Sequence, residues 1–407
     1  MADDQDVRKK AEMAKEKKAA FGQDIELEKF SSARKDLAKA SNLTELSDED
    51  KRTLLNVGVL PNEEGRSGSF VLMDNTVVHE RQMGTGVEVM SLQKALGVHD
   101  WLKEYSWKAV QPDADKYTSR TFLEEADGYF IHALPGQKVR MPVQTCLMLK
   151  SKDSAQTVHN VIVVEEGAEL EVVTGCSTSK HVDRALHLGI SEFYLKRNAK
   201  LTFTMIHNWA ENIGVRPRTV IEMDEGAIFI NNYVALKPVR SIQTYPTCRM
   251  NGPNGVCVFN SVAVAHPGSE MDMGSRVIMN APGCKAEITS RTITTGGVMI
   301  ARGQMVGAAP NVKGHLECKG LILSDKGTQI AIPELEARVP DVEMTHEAAV
   351  GKIAQDQVEY LMSRGLTEEE AVGIIVKGFL DVGIRGLPPQ LKAEIDATLE
   401  QVDLSNM

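Results

Sequence analysis

Three stretches share one texture: "EEGAELEVVTG" at 165–175, "KRNAKLTFTMI" at 196–206 and "DEGAIFINNYV" at 224–234. Each opens with a polar turn, places an alanine (Ala168, Ala199, Ala227) and continues with alternating apolar residues. Alternation with period two is the mark of a strand that buries one face. The alanines lie 31 and 28 residues apart. A nearly constant period of this size signals stacked units, each burying its apolar face against the next. The same texture continues through "PGCKAEITSRTIT" (282–294), "GGVMIARGQMV" (296–306) and "GHLECKGLILSDKGTQIAI" (314–332). No long helix pattern interrupts it, so the arrangement is not βαβ. The period favours the coils of a β-helix over a β-sandwich across residues 128–344.

Outside this core the pattern changes. Residues 1–127 read as a helical and mixed region. Its first forty residues are densely charged and suggest a solvated helix or arm. Ser47 is a good helix start and Gly58 a stop. "SGSFVLMDNTVVHERQ" (67–82) reads as a hairpin turning at Asp74-Asn75, and 90–106 as a helix. From 345, "THEAAVGKI" takes helical spacing, with Thr345 as N-cap and His346, Ala349, Val350, Ile353, Tyr360 and Leu361 on one stripe. Gly365 ends that helix, and Thr367 with Glu370 has the spacing of a capping box. "LPPQLKAEIDATLEQ" gives a last helix. This C-terminal helical unit, 345–407, is suited to holding a partner, to capping the open end of the coils, or to both.

Composition narrows the function. The chain of 407 residues carries 46 basic and 56 acidic side chains and no basic stripe, which argues against nucleic acid. No apolar run approaches the roughly 18 residues a membrane helix needs, and the N-terminus lacks a signal peptide's apolar core. A cytoplasmic location is expected. The six cysteines form no CxxC pair, so a zinc ribbon or thioredoxin-type site is not expected. No GxxxxGK[ST] is present, so any ATP site must come from a partner. A polysaccharide enzyme is disfavoured by the 5% aromatic content and the lack of a repeated Asp/Arg face.

Several residue types could carry chemistry. Cys318, near His315, offers a thiolate, the soft ligand for iron and sulfide, but a buried strand cysteine reads the same way. Cys176 follows Gly175 in what reads as a turn, where Lys180 and His181 could make it reactive. His346 is a metal-ligand type on an apolar stripe. Glu347 suits a first helical turn through the helix dipole alone. His187, His207 and Trp209 read as packing and hydrogen-bonding residues. Cys146, Cys248, Cys257 and Cys284 have no ligand spacing.

Taken in order, "VVTGCSTSKHVDRALHLGISEFYL", "TFTMIHNWA", "HLECKGLILSDKG" and "VEMTHEAAVGKIAQDQVEYLMSRGLTEEEAVGIIVKGF" resemble the SufB/SufD family of SUF-type iron–sulfur cluster assembly proteins. The likeness covers about 125–400 and is closest to the shorter archaeal single-subunit type. Cys318 and His346 stand 28 residues apart, as in scaffold-type members. The resemblance implies a right-handed parallel β-helix between helical ends. It implies that the C-terminal helices bind a SufC-like ABC ATPase, and that two β-helices pair through their last coils. The paired assembly would be a homodimer, or a pair with a SufB/SufD-type chain, in a 2:2 complex with the ATPase. It assigns a nascent iron–sulfur cluster to Cys318, His346 and Glu347, and sulfur acceptance or transfer to Cys176. His207, His187 and His315 are weaker candidates. Where the family usually has Thr-Ala-Pro after Gly-Cys, this chain has Ser177-Thr178-Ser179. That departure bears on sulfur transfer at Cys176; "AAVGK" (348–352) resembles the SufD type while Glu347 resembles the scaffold, so scaffold and SufD-like adaptor both remain open.

Overall fold

A computed structural model describes residues 2–32 and 37–380. The chain winds into a β-solenoid of about 8 turns. Strands fall alternately into two sheets, so each turn contributes one rung to either side. One sheet of ten strands begins at Gly68–Met73 with its hairpin partner Thr76–Gln82 and ends at Val342–Gly351. The other, of eleven, begins at Val87–Ser91; its last rung is Thr328–Ala337. From Val143 onward successive rungs pair in parallel, as coiling in one direction requires.

The sequence period is the coil length. Lys200 pairs with Glu169 on one side and Ile228 on the other, offsets of 31 and 28. Ala168, Ala199 and Ala227 are all fully buried, stacked just before those pairs where only a small side chain suits the corner. Phe193, Phe203, Phe229 and Phe259 pack between the sheets with ring centroids 4.8 to 6.3 Å apart. At roughly 1.5–3 kcal/mol for each large apolar side chain removed from water, this continuous interior dominates stability.

Helices cover the outer faces. Asp48–Leu55, capped by the Ser47 side chain accepting from Asp50 N–H, lies over the first rungs of the ten-stranded sheet. The predicted hairpin is present, with Asp74 at φ 50° in its turn. The helix expected at 90–106 is Leu92–Val98 followed by a 3-10 turn at Asp100–Glu104. The charged N-terminus holds an α-helix at Ala2–Met13 and a 3-10 turn at Leu27–Lys29; beyond the α-helix the chain lies against the other sheet, where Ile25 and Phe30 pack beside Leu186 and Leu188.

The C-terminal expectation needs correction. Residues 342–351 are a strand, not the start of a helix. Val342, Met344, Ala348 and Val350 alternate with Glu343, Thr345 and Glu347, and the preceding rung Val312–Ile322 supplies the backbone partners. The β-helix thus runs past 344, and the first C-terminal helix is Gln355–Ser363. Gly365 does end it, at φ 96°. Thr367 and Glu370 do form the capping box of Glu368–Leu380: Glu370 N–H donates to Thr367 Oγ1 at 3.2 Å and Thr367 N–H to Glu370 Oε2 at 2.8 Å. These helices do not cap the open end. Val358, Ala371, Val372 and Val376 pack sideways on Val234, Val262, Val264, Ile293 and Leu321 of the ten-stranded sheet. The helix expected at 387–401 lies outside the described residues.

Candidate functional site

The last two rungs of the ten-stranded sheet, Val312–Ile322 and Val342–Gly351, hold most of the predicted site residues. In a strand successive side chains point to opposite faces. Leu316 and Cys318 point into the core. The ladder places Ala348 over Cys318 and His346 over Leu316, so Cys318 and His346 share the inward face of neighbouring strands. With about 4.8 Å between strands and 3.3 Å per residue, this diagonal separates their Cα atoms by roughly 8 Å. Cys318 is 1% exposed, whereas the His346 side chain, on the outermost rung, is exposed. Burial pushes the Cys318 thiol up to about 11, with Glu317 adding to the effect and Arg291 opposing it. It rests as a thiol; a metal or a sulfur donor must displace its proton.

Glu347 and His315 belong to the outer face. Glu347 sits opposite Glu317 in the ladder, where two carboxylates repel. Lys319 Nζ relieves this, 3.1 Å from Glu317 and 2.9 Å from Glu347. Arg291 also pairs with Glu317. Partial burial pushes Glu317 up, but its bonds from Arg291 and Lys319 outweigh this and hold it below the usual carboxylate range. Glu347 and Glu317 hold Lys319 above the ordinary lysine value. His315 Nδ1 lies 2.9 Å from Thr345 Oγ1. Ligand atoms of His315, Glu317 and Glu347 all fall within 4.8 Å of one another. The adjacent residues His346 and Glu347 therefore point to opposite sides, and the thiol–imidazole pair is divided from the carboxylates by the sheet itself. Arg291, Glu317 and Lys319 were missed in the sequence; the only signal was the alternation around Cys318.

Cys176 is not at a turn. It lies within the strand Glu169–Thr178, pointing inward and fully buried, with Met205 Sδ 3.5 Å from its thiol. Burial raises its pKa well above the ordinary value, with Cys146 adding to this. Gly175 faces the other way, and any Cβ there would meet Val57 Cγ2 at 2.3 Å. Cys176 and Cys318 are five rungs apart in the same sheet, roughly 24 Å at 4.8 Å per rung, so they cannot hold one cluster. His207 neighbours Cys176 in the ladder and bonds Tyr233 Oη at 2.7 Å. His187 bonds Gln156 Oε1 at 2.8 Å, and Trp209 lies between the two rings. Burial lowers His187 to about 3 and, with help from His187, holds His207 well below its usual value. Both are neutral interior residues. Cys146, Cys248, Cys257 and Cys284 are buried free thiols.

A family model described as "SUF system FeS cluster assembly, SufBD core domain" matches residues 147–379. An iron–sulfur cluster assembly SufBD family protein of Methanothermobacter thermautotrophicus is 47% identical over 403 residues, covering 97% of this chain and 98% of that one. The chain belongs to the SufBD family. A SufBD relative from Archaeoglobus fulgidus is 49% identical over 354 residues, 87% of this chain and 95% of its own. The iron–sulfur cluster assembly protein SufB of Bacillus subtilis is 30% identical over 306 residues, 74% of this chain and 65% of its own. The matched SufBD core runs from the rung Val143–Leu149, one before that of Cys176, to the open end and the two helices beside it. Among the described residues no helix is long and apolar enough to cross a membrane.

Proposed function

We propose that this SufBD chain is a scaffold on which an iron–sulfur cluster is built, working with an ABC-type ATPase that supplies the ATP site. The observation that carries this reading is the placement of Cys318 and His346 on one inward face at the open end. Among the described residues both sheets stop there with unpaired edges, and Ile330, Leu335 and Val350 are 41%, 36% and 42% exposed. An edge of this kind is a template for another chain. A second copy, or a SufB/SufD-type chain, docking there would bring a second thiol–imidazole pair to the first and bury both. Cys318 would ligate iron or accept sulfur, His346 would add a nitrogen ligand, and Glu347 would act from the other face. The ATPase would grip Gln355–Ser363 and Glu368–Leu380, whose free side leaves Tyr360 58% and Ile374 52% exposed. A 2:2 assembly follows from one ATPase per chain.

The test is anaerobic reconstitution with iron and sulfide. Cys318→Ser should lose cluster absorption while still binding the ATPase; a variant retaining full iron and sulfide would remove the ligand role. A second reading, a SufD-like adaptor that holds the ATPase and pairs with a scaffold without a cluster, is favoured by the buried, protonated state of Cys318. It predicts no cluster in the wild-type pair under the same conditions.

A further inference from the structure

The outer face of the last two rungs carries a group of side chains of which the cluster reading uses only Glu347. His315, Glu317 and Glu347 gather one imidazole and two carboxylates with all ligand atoms within 4.8 Å. They come from neighbouring strands in register, His315 two residues before Glu317, with Glu347 directly across from Glu317. A rigid two-strand platform of this kind holds ligands more firmly than a loop does. The Lys319 ammonium already occupies the bridging position, touching Glu317 and Glu347 at 3.1 and 2.9 Å. Its stem emerges two residues from Glu317, on the same outer face. The two facing carboxylates attract cations, and in the chain alone Lys319, its side chain 30% exposed, bridges them while Arg291 pairs with Glu317.

We infer that His315, Glu317 and Glu347 form a mononuclear site for a divalent first-row metal ion, with Lys319 as the built-in occupant that the ion displaces. The donor set of one nitrogen and two carboxylates suits Fe(II), Mn(II) or Co(II) rather than a soft ion that prefers thiolates. Thr345 Oγ1, 2.9 Å from His315 Nδ1, orients the ring and leaves its other nitrogen for the metal. Arg291 keeps Glu317 in place on the side away from Glu347 and limits the charge the site presents. No oxidation or group transfer is involved: the ion enters, and the Lys319 ammonium returns to water still protonated. The site lies across the sheet from Cys318, separated from it by one strand thickness. It rests on the scaffold reading only for the choice of iron as the natural ion, which would wait here as hard Fe(II) before meeting sulfur on the inward face.

The displaced lysine gives the test its sign. Mn(II) is titrated into the full-length protein without sulfide and free Mn(II) is read by electron paramagnetic resonance. Glu317→Gln and His315→Gln should each weaken binding tenfold or more, whereas Lys319→Gln should tighten it several-fold. Cys318→Ser should bind Mn(II) as the wild type does while failing cluster reconstitution, which separates this site from the scaffold reading. Equal affinity in Glu317→Gln and wild type, weaker binding in Lys319→Gln, or loss of Mn(II) in Cys318→Ser would each overturn the inference. Circular dichroism on every variant confirms that the fold is retained, and Glu347→Gln provides a second removal on the outermost rung, where a folding defect is least expected.

Discussion

The two ends of the solenoid are built on opposite plans. At the first end the chain reverses: Thr76–Gln82 pairs antiparallel with Gly68–Met73, and Val87–Ser91 antiparallel with Tyr129–Ala133. Ala40 N–H then donates to Val78 O across the hairpin's outer edge at 2.8 Å, and His79 bonds both Ala40 O and Ser69. That end is closed by its own chain. At the other end, among the described residues, Val342–Gly351 and Thr328–Ala337 stop without reversal or cover, and the two helices Gln355–Ser363 and Glu368–Leu380 turn aside onto a sheet face. Natural sheets usually blunt an exposed edge. The pairing proposed above would give that bare edge a use.

The sharpest way to test this contrast is to remove matched side chains. Phe70→Ala, fully buried in the first rung, should cost about 3–5 kcal/mol in urea unfolding. Leu335→Ala at the open end, 36% exposed, should cost less than ~1 kcal/mol in the isolated chain. Equal losses would mean that the open end is packed as tightly as the closed one. Next in size, Ile330→Lys should weaken the proposed pairing about 100-fold, ~2.7 kcal/mol, seen as loss of the dimer mass in light scattering, with monomer stability unchanged. A monomeric wild type at high concentration would argue for a different partner at that edge.

Two smaller effects concern the closed half. Gly175→Ala should cost about 1–3 kcal/mol, because the new Cβ would strike Val57; a neutral result would mean that the covering segment can lift away. Acid should loosen the same region. His187 is lowered in the folded state to about 3 from an ordinary 6.5, so the unfolded chain binds the proton first. Its contribution is complete above the unfolded value and is lost as pH falls toward 3, at up to ~1.4 kcal/mol per pH unit. His187→Gln should flatten this slope between pH 6.5 and 4 in thermal melts; an unchanged slope would assign the acid sensitivity elsewhere.

The fold was legible because a solenoid repeats its own evidence. The spacing of Ala168, Ala199 and Ala227 states the coil length directly, and local capping signals at Ser47, Thr367 and Gly365 reported real helix ends. The placement of the candidate site residues was not legible. At 345–351 a strand alternation and a helical stripe fit the same letters, and Thr345 serves either as a cap or as a hydroxyl partner for His315. What decided between them is the neighbouring rung, which sequence patterns do not contain. The same ambiguity hid the separation of His346 from Glu347, since a helix would set them about 100° apart and a strand sets them back to back. Cys176 was misplaced because Gly175 suggests a turn; the glycine is there to make room for Val57.

The even stacking of the rungs has a further consequence. Each added coil moves everything beyond it by one fixed step of about 4.8 Å and changes little else, because a rung touches only its two neighbours. The molecule is in effect a ruler: the five steps between Cys176 and Cys318 set a length independent of the chemistry at either mark. Duplicating a middle coil would lengthen the ruler by one division while leaving both marks in their original surroundings. Distance and reactivity, which are entangled in most proteins, could here be varied one at a time.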